Sequence, residues 1–326
     1  VTVVGAGIAG TWQALMFARA GFAVTLLERG DAGLAAAASH WAAGMLAPDC
    51  EGESGEPVVG RLGRRSLALW GAELPNTTAT GSLVVAHPRD RADYDRFARL
   101  TDGYERLGGD SIAELEPALA GRFREALFFR NEAHVEPRRV LPELHGRLEA
   151  AGASIRFGSP ADPAVLPGTV IDCRGIGARD VFPELRGVRG ETVLVETREV
   201  ELSRPVRLVH PRWPLYIVPR AESRFLIGAT MVESEDAGPV TVRSALELLS
   251  AAYSVHPAFG EARILELGVG LRPALPDHAP HIRVSGGRIA VNGLYRHGFL
   301  LAPALAEITV DYVLNGTRDD EVMQWS

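Results

Sequence analysis

The 326-residue chain contains no lysine; all 34 of its basic side chains are arginine. That absence excludes Schiff-base chemistry on a lysine, a phosphate loop that closes on a lysine, and a lysine base or ammonium beside a cofactor. Cysteine is nearly as scarce. Cys50 and Cys173 stand far apart with no CxxC spacing, so neither a disulfide framework nor a zinc site is expected, and the chain is expected in a reducing cytoplasm. Positive charge is not in excess: 41 acidic residues against 34 arginines give a net charge of −7, which argues against binding nucleic acid or an anionic membrane. No uninterrupted apolar run reaches about 18 residues, so no membrane span is expected. Val1 to Val4 already read as strand rather than as a basic leader, and the expectation is a strand trimmed by an initiator Met and a residue or two.

What is abundant is small and apolar: 46% hydrophobic residues, 35 glycines and 21 prolines. The length suits one large or two interleaved domains with a sizeable core. After the opening strand comes Gly5-Ala6-Gly7-Ile8-Ala9-Gly10, then a helix-compatible stretch from Thr11 to Ala20 that Gly21 stops, then a strand from Ala23 to Leu27 ending on Glu28, eighteen residues after Gly10. This is the strand, turn, helix, strand, acid order of a dinucleotide site. Gly5 permits the tight turn, Gly7 lets backbone approach a pyrophosphate, and Gly10 lets helix and strand pack closely. The helix start offers unpaired N–H groups to phosphate, and Glu28 can accept from a ribose 2′-hydroxyl, favouring FAD or NAD over NADP.

Further along, helices are expected from Pro57 to Leu74 and Asp90 to Leu107, then from about Arg138 to Ala151, Val242 to Tyr253 and Pro303 to Leu314. Short strands are expected at 81–86, 154–157, 169–173, 189–200, 206–210, 215–219, 224–230, 264–269 and 288–292. In the second half most are separated by turns, which predicts a mainly antiparallel sheet unlike the βαβ beginning. The fold class is therefore α/β: a Rossmann-like dinucleotide domain with an interleaved, mainly antiparallel α+β domain. The expected partition is 1–80, 131–185 and 271–326 for the first and 81–130 and 186–270 for the second. Asp277, His278 and His281 read as a surface loop around Pro280, not as metal ligands, and Cys173 as a small buried strand residue. No metal site is expected.

The run Ala35 to Ala38, Ser39-His40-Trp41 and Ala42-Ala43-Gly44-Met45-Leu46 then resembles the D-amino-acid oxidase family of flavoproteins, most closely the glycine oxidases of thiamin (thiazole) biosynthesis. Three later segments are similar to motifs of the same group: Leu215-Tyr216-Ile217-Val218-Pro219-Arg220 with Phe225 to Met231, Gly268-Val269-Gly270-Leu271-Arg272-Pro273, and Asn292 to Pro303 with Tyr295-Arg296-His297-Gly298-Phe299-Leu300. The resemblance implies FAD as cofactor. Gly5, Ala6, Gly7, Ile8, Ala9, Gly10, Glu28 and Arg29 would bind it, the glycine turn at its pyrophosphate and Glu28 at its ribose, and Ala38 and Ser39 would touch its phosphates. Ala43, Gly44 and Met45 would lie along the flavin ring. Gly175 marks the chain's return to the FAD domain, and Arg296, His297, Gly298, Phe299 and Leu300 would meet the ring's pyrimidine end, where a helix N-terminus stabilises developing negative charge.

Arg272 stands directly before a proline, so it is expected at a strand edge or turn, where a planar guanidinium can grip a carboxylate. The resemblance makes it the ligand of the amino-acid carboxylate, with Tyr216 supplying a hydroxyl, Arg296 a second cation and Met231 a pocket wall. The implied reaction is oxidative deamination: hydride passes to flavin N5, and the imine hydrolyses to a keto acid and ammonia while dioxygen yields hydrogen peroxide. Substrate could be glycine, sarcosine, another N-substituted glycine or a small D-amino acid. A dehydrogenase of the same fold with another acceptor is the alternative. No nucleic acid or membrane partner is expected, and a homo-oligomer is left open. Sarcosine-oxidase relatives carry FAD on a cysteine in the region of 268–272 and place a lysine by the flavin; neither residue exists here. Noncovalent FAD is therefore expected, with local positive charge left to Arg296, His297, the substrate or backbone dipoles.

Overall fold

The apolar opening residues form β1 (Thr2–Val4), and α1 (Ile8–Arg19) and β2 (Thr25–Leu27) complete the first crossover. The structure is a computed structural model that describes residues 1–53, 56–75 and 77–325; Ser54 and Gly55 of the acidic stretch before Pro57 lie outside the described residues. Next come β3 (Met45–Leu46), α2 (Pro57–Glu73), β4 (Ser82–Ala86), α3 (Arg91–Leu100), β5 (Glu105–Gly108), α4 (Gly109–Leu115), β6 (Glu125–Phe129), β7 (Ala133–His134) and α5 (Pro137–Ala150). They are followed by β8 (Ser154–Arg156), β9 (Val170–Asp172), β10 (Arg186–Glu196), β11 (Val206–Val209), β12 (Leu215–Arg220), β13 (Arg224–Gly228) and α6 (Val242–Val255). The chain finishes with β14 (Arg263–Ala274), β15 (His281–Ser285), β16 (Arg288–Asn292), α7 (Gly298–Asn315) and β17 (Met323–Trp325).

The described residues form a seven-stranded sheet in the order β17-β15-β16-β9-β1-β2-β8 and an eight-stranded sheet in the order β14-β10-β13-β12-β11-β4-β6-β5. In the first, β1 pairs in parallel with both β2 and β9, and only β15 with β16 is antiparallel. In the second, every pairing is antiparallel except β11 with β4. This is the expected α/β class with an interleaved, mainly antiparallel layer. A two-stranded ladder, β3 with β7, carries the segment of Met45.

Two cores correspond to the two sheets. One gathers β1, α1, α2 and α7, with Trp12 set edge-on to Trp70 at 4.9 Å and Phe299 stacked on Trp70. The other fills the space between the eight-stranded sheet and α6, from Leu83 and Phe128 to Leu248 and Phe259. Helix α6 begins where the Thr241 hydroxyl caps Ser244 N–H, a standard N-terminal signal. With residues 295–297 before it, α7 is long and apolar enough to cross a membrane by composition, but it is mostly buried and packs against α1 and α2 as a core helix.

Four sequence expectations are corrected. The helix expected to reach Leu107 stops at Leu100, because Thr101 turns extended and spends its hydroxyl on Phe97 O; Glu105–Gly108 is instead an edge strand on β6. The last helix starts at Gly298 rather than Pro303. Pro303 has no N–H for the carbonyl four residues back, and that carbonyl, Phe299 O, takes the Trp70 indole N–H at 2.9 Å instead. Arg272 does not end a strand: β14 runs on through Pro273 to Ala274, which an edge strand allows because a proline there costs no ladder bond on its open side. His281 begins β15 rather than lying in a surface loop, and its Nε2 meets Asp277 at 2.7 Å.

Candidate functional site

At the end of β1 the backbone turns with φ +100° at Gly5, and a Cβ there would stand 2.5 Å from Cys173 O. A Cβ on Gly10 would stand 1.8 Å from Gly5 O, so only hydrogen lets α1 start against the turn. Three side-chain oxygens converge on this corner. Glu28 Oε2 accepts from Ala6 N–H at 2.8 Å, Glu28 Oε1 accepts from Gly30 N–H at 2.8 Å, and Ser39 Oγ accepts from Ile8 N–H at 3.0 Å. The first N–H groups of a helix have no intrahelical acceptor, so this corner is a ready anion site. A side-chain-free cradle, helix-end donors and a carboxylate at the tip of β2 are the donor set that a dinucleotide needs, and the residues fit it.

Cys173 is buried beside Gly10, its thiol pushed well up by burial, and it packs rather than reacts. Gly175 follows it, with its carbonyl accepting from Asn292 Nδ2 at 2.8 Å. Gly298, the first residue of α7, sits against Ile8, so the N-termini of α1 and α7 open on the same corner. The side chains of Phe299 and Leu300 are core. What they can offer a ligand is the backbone N–H groups of the first helical turn. Arg29 is exposed and is not drawn into this cluster.

The second cluster lies on one face of the eight-stranded sheet. Tyr216, Gly228, Thr192 and Gly268 are aligned across β12, β13, β10 and β14; Gly190 pairs with Gly270 two residues on, and Val188 with Arg272 two further. Alternation puts all of them on the same side. The glycines form a floor. A Cβ on Gly228 would be 2.7 Å from the Tyr216 ring, one on Gly190 would be 2.3 Å from Arg272 Cζ, and one on Gly268 would be 2.1 Å from the Trp41 ring. Arg272 Nη1 donates to Thr230 O at 2.9 Å. Burial raises the Tyr216 phenol, and the Arg272 guanidinium beside it pulls the other way.

The loop expected along a flavin ring is held against this face. Ala43 and Met45 pack with Tyr216, Val218, Leu194 and Leu226. Ala43 O accepts from Arg220 Nη2 at 2.6 Å, Gly44 O accepts from Val135 N–H at 2.9 Å, and Met45 pairs with His134. Burial lowers the Arg220 guanidinium to about 10, still charged at neutral pH. Ala38 lies against Gly270 on the same face, next to Trp41.

Arg296 joins the cluster through Met231, whose Sδ lies 3.7 Å from Arg296 Nη1 and 3.6 Å from the Tyr295 hydroxyl. Its charge is largely spoken for. Arg296 Nη2 meets Glu51 Oε2 at 2.7 Å, and Arg207 bridges Glu51 at 3.4 Å and Glu53 at 3.1 Å. Burial alone would raise the Glu51 carboxyl, but Arg296 and Arg207 hold it below the usual carboxylate range. Buried His297 is held at about 4 by desolvation and is neutral near pH 7. The expectation that His297 supplies positive charge is therefore corrected: burial strips the proton.

The structure brings together Gly5–Gly10, Glu28, Ser39 and Gly175 at one corner, and Tyr216, Arg272, Met231 and Arg296 with Ala43–Met45 at the other. Sequence reasoning missed Glu51, Arg207 and Gly190, and met Thr230 only as part of the Phe225 to Met231 motif, with no role. Glu51 was visible as part of an acidic stretch, but its partners come from residues 207 and 296, and no local signal joins them. Among the described residues no group of three or more His, Cys, Asp or Glu is placed to hold a metal ion.

The family model described as FAD dependent oxidoreductase (DAO) matches residues 1–312. A Rhizobium etli protein named as a thiamine biosynthesis oxidoreductase, ThiO, is 54% identical over 307 residues, covering 94% of each chain. A glycine oxidase of Bacillus licheniformis is 27% identical over 352 residues, covering 96% of this chain and 92% of its own. Among solved structures, a glycine oxidase from Geobacillus kaustophilus superposes with a TM-score of 0.84 at 24% identity, covering 98% of this chain and 95% of its own.

Proposed function

The chain belongs to the family of FAD-dependent oxidoreductases, and from that premise we propose that it oxidises glycine, or an amino acid nearly as small, in thiamine biosynthesis. The observation that carries the reading is the pairing of Tyr216 and Arg272 on a glycine floor facing Ala43 and Met45. Bound FAD supplies the two-electron acceptor, so that amino acid, water and dioxygen become keto acid, ammonia and hydrogen peroxide.

Arg272 binds the substrate carboxylate with two parallel N–H donors, and Tyr216 adds a hydroxyl to the same group. Lying flat on Gly190 and tied to Thr230 O, the guanidinium is held in one plane before substrate arrives, which lowers the ordering cost of binding. Glu51 neutralises Arg296, leaving Arg272 as the carboxylate grip and favouring a substrate with one carboxylate. With no lysine in the chain and His297 neutral, these side chains contribute orientation rather than proton transfer. Segments 1–80, 131–185 and 271–326 form the FAD-binding domain in this reading, and 81–130 and 186–270 the substrate domain. FAD is held without a covalent bond, since residues 268–272 contain no cysteine and both cysteines are buried free thiols. The enzyme acts in the cytoplasm. The relatives named for thiamine biosynthesis and glycine oxidation support the substrate class.

The test is aerobic turnover of the purified holoenzyme with glycine, following ammonia and peroxide together. Equal yields are expected, and Arg272→Ala is expected to raise the glycine KM by roughly a hundredfold, as loss of a buried charged pair does. Glyoxylate without peroxide would mean a different electron acceptor. An unchanged KM in Arg272→Ala would remove the carboxylate assignment.

A further inference from the structure

Between β13 and α6 the chain runs as a strap, 230–241, pinned to β10. Its first two residues touch both arginines of the second cluster: Thr230 O accepts from Arg272, and Met231 Sδ lies against Arg296. The strap is held from the opposite side of β10 by a buried ion pair. Glu191 is 1% exposed and Arg189 3%, with Arg189 Nη2 2.8 Å from Glu191 Oε1. Arg189 donates to the strap carbonyls of Asp236, Gly238 and Pro239 at 2.5, 2.8 and 2.6 Å. Glu191 holds both ends: its Oε2 accepts from the Thr230 hydroxyl at 3.0 Å and its Oε1 from Thr241 N–H at 3.2 Å. The Thr230 hydroxyl in turn accepts from Glu191 N–H at 3.0 Å.

We propose that Glu191 is a positioning residue for Arg272, acting through Thr230, whose side chain it grips and whose carbonyl orients the guanidinium. Residues 190 and 191 then divide the work between the two faces of one strand. Gly190 gives the guanidinium its floor, and Glu191 sets the carbonyl that fixes its rotation. The same strap sets how far Arg272 and Arg296 stand apart, because consecutive residues touch each. The inference rests on the reading of Arg272 as the carboxylate ligand.

The test is an equilibrium titration of the holoenzyme with acetate, a carboxylate with no amine to oxidise, followed by perturbation of the flavin absorbance. Thr230→Val, which keeps shape and carbonyl but loses both hydroxyl bonds, is expected to weaken acetate binding about tenfold with FAD still bound. Thr230→Ser is expected to restore it, which a general loss of packing would not allow. Glu191→Gln is expected to shift in the same direction as Thr230→Val, and the Thr230 variants keep the test open if the buried pair does not tolerate that change. Unchanged acetate binding in Thr230→Val, with binding lost in Arg272→Ala, would overturn this inference and leave the carboxylate assignment standing. Unchanged binding in Arg272→Ala would overturn both.

Discussion

Substituting Gly190 by alanine separates stability from recognition. The added Cβ would sit 2.3 Å from Arg272 Cζ and Nη2 and 2.6 Å from Nη1, whereas ordinary contact begins near 3.4 Å. The guanidinium must move by about 1 Å, which breaks its 2.9 Å bond to Thr230 O and turns its donors away from the substrate carboxylate. Losing one charge-assisted hydrogen bond, at about 1.5–3 kcal/mol, weakens carboxylate binding roughly ten- to a hundredfold. The fold loses little. Gly190 is outside the left-handed region, the group displaced is the end of a flexible side chain, and alanine restricts the unfolded chain by about 0.4–1 kcal/mol. Gly190→Ala is therefore expected to keep its Tm and FAD while its acetate dissociation constant, read from the flavin spectrum, rises at least tenfold. Acetate affinity within twofold of the parent would refute the claim that Gly190 exists to seat Arg272, and so would a collapse in Tm.

At the other corner, Gly10→Ala sets a Cβ 1.8 Å from backbone rather than side chain, so the purified variant is expected to lack the yellow flavin; FAD retained in equal stoichiometry would contradict the cradle. Fully buried Glu132, whose Oε1 accepts from Cys50 N–H at 2.7 Å, is pushed by desolvation from 4.5 to about 7. Its folded-state pKa is raised, so the stability it lends is full below about pH 4.5 and is lost as pH rises through 7, by up to about 3 kcal/mol. Denaturant unfolding of Glu132→Gln and the parent at pH 5 and pH 8 should show that difference only in the parent; parallel profiles would dismiss it. Trp70→Phe leaves Phe299 O without the indole donor and is expected to cost about 1–3 kcal/mol, part of which Pro303→Ala recovers by supplying the missing N–H. Additive thermal shifts in the double variant would count against this coupling.

The crossover from Val1 to Glu28 was legible because every constraint in it is local: glycine spacing, a helix stop and an acid at a strand end. The limits of α2, α5 and α6 lie within two residues of those expected, since apolar periodicity and proline starts mark them. Prolines misled where tertiary partners override local rules. Trp70 satisfies the carbonyl that Pro303 leaves open, and the open side of β14 absorbs Pro273. The edge strand at 105–108 was lost because its charged residues mask alternation; 281–285 does alternate, but the turn residues Pro276 to Pro280 before it read as a continuing loop. Within the site, Tyr216, Arg272 and Arg296 stood out through motif resemblance. The roles of Gly190, Thr230, Glu51 and Arg207 did not, because they depend on tertiary contacts that join positions 42 to 245 residues apart.

The central claim is that the glycine-floored face holds an amino acid whose electrons pass to FAD. It is tested most directly by mixing the purified holoenzyme with glycine in the absence of oxygen and recording the flavin absorbance. Full bleaching by glycine, and none in Arg272→Ala at the same concentration, is the expected result. A flavin spectrum that glycine, sarcosine and D-alanine all leave unchanged would contradict it.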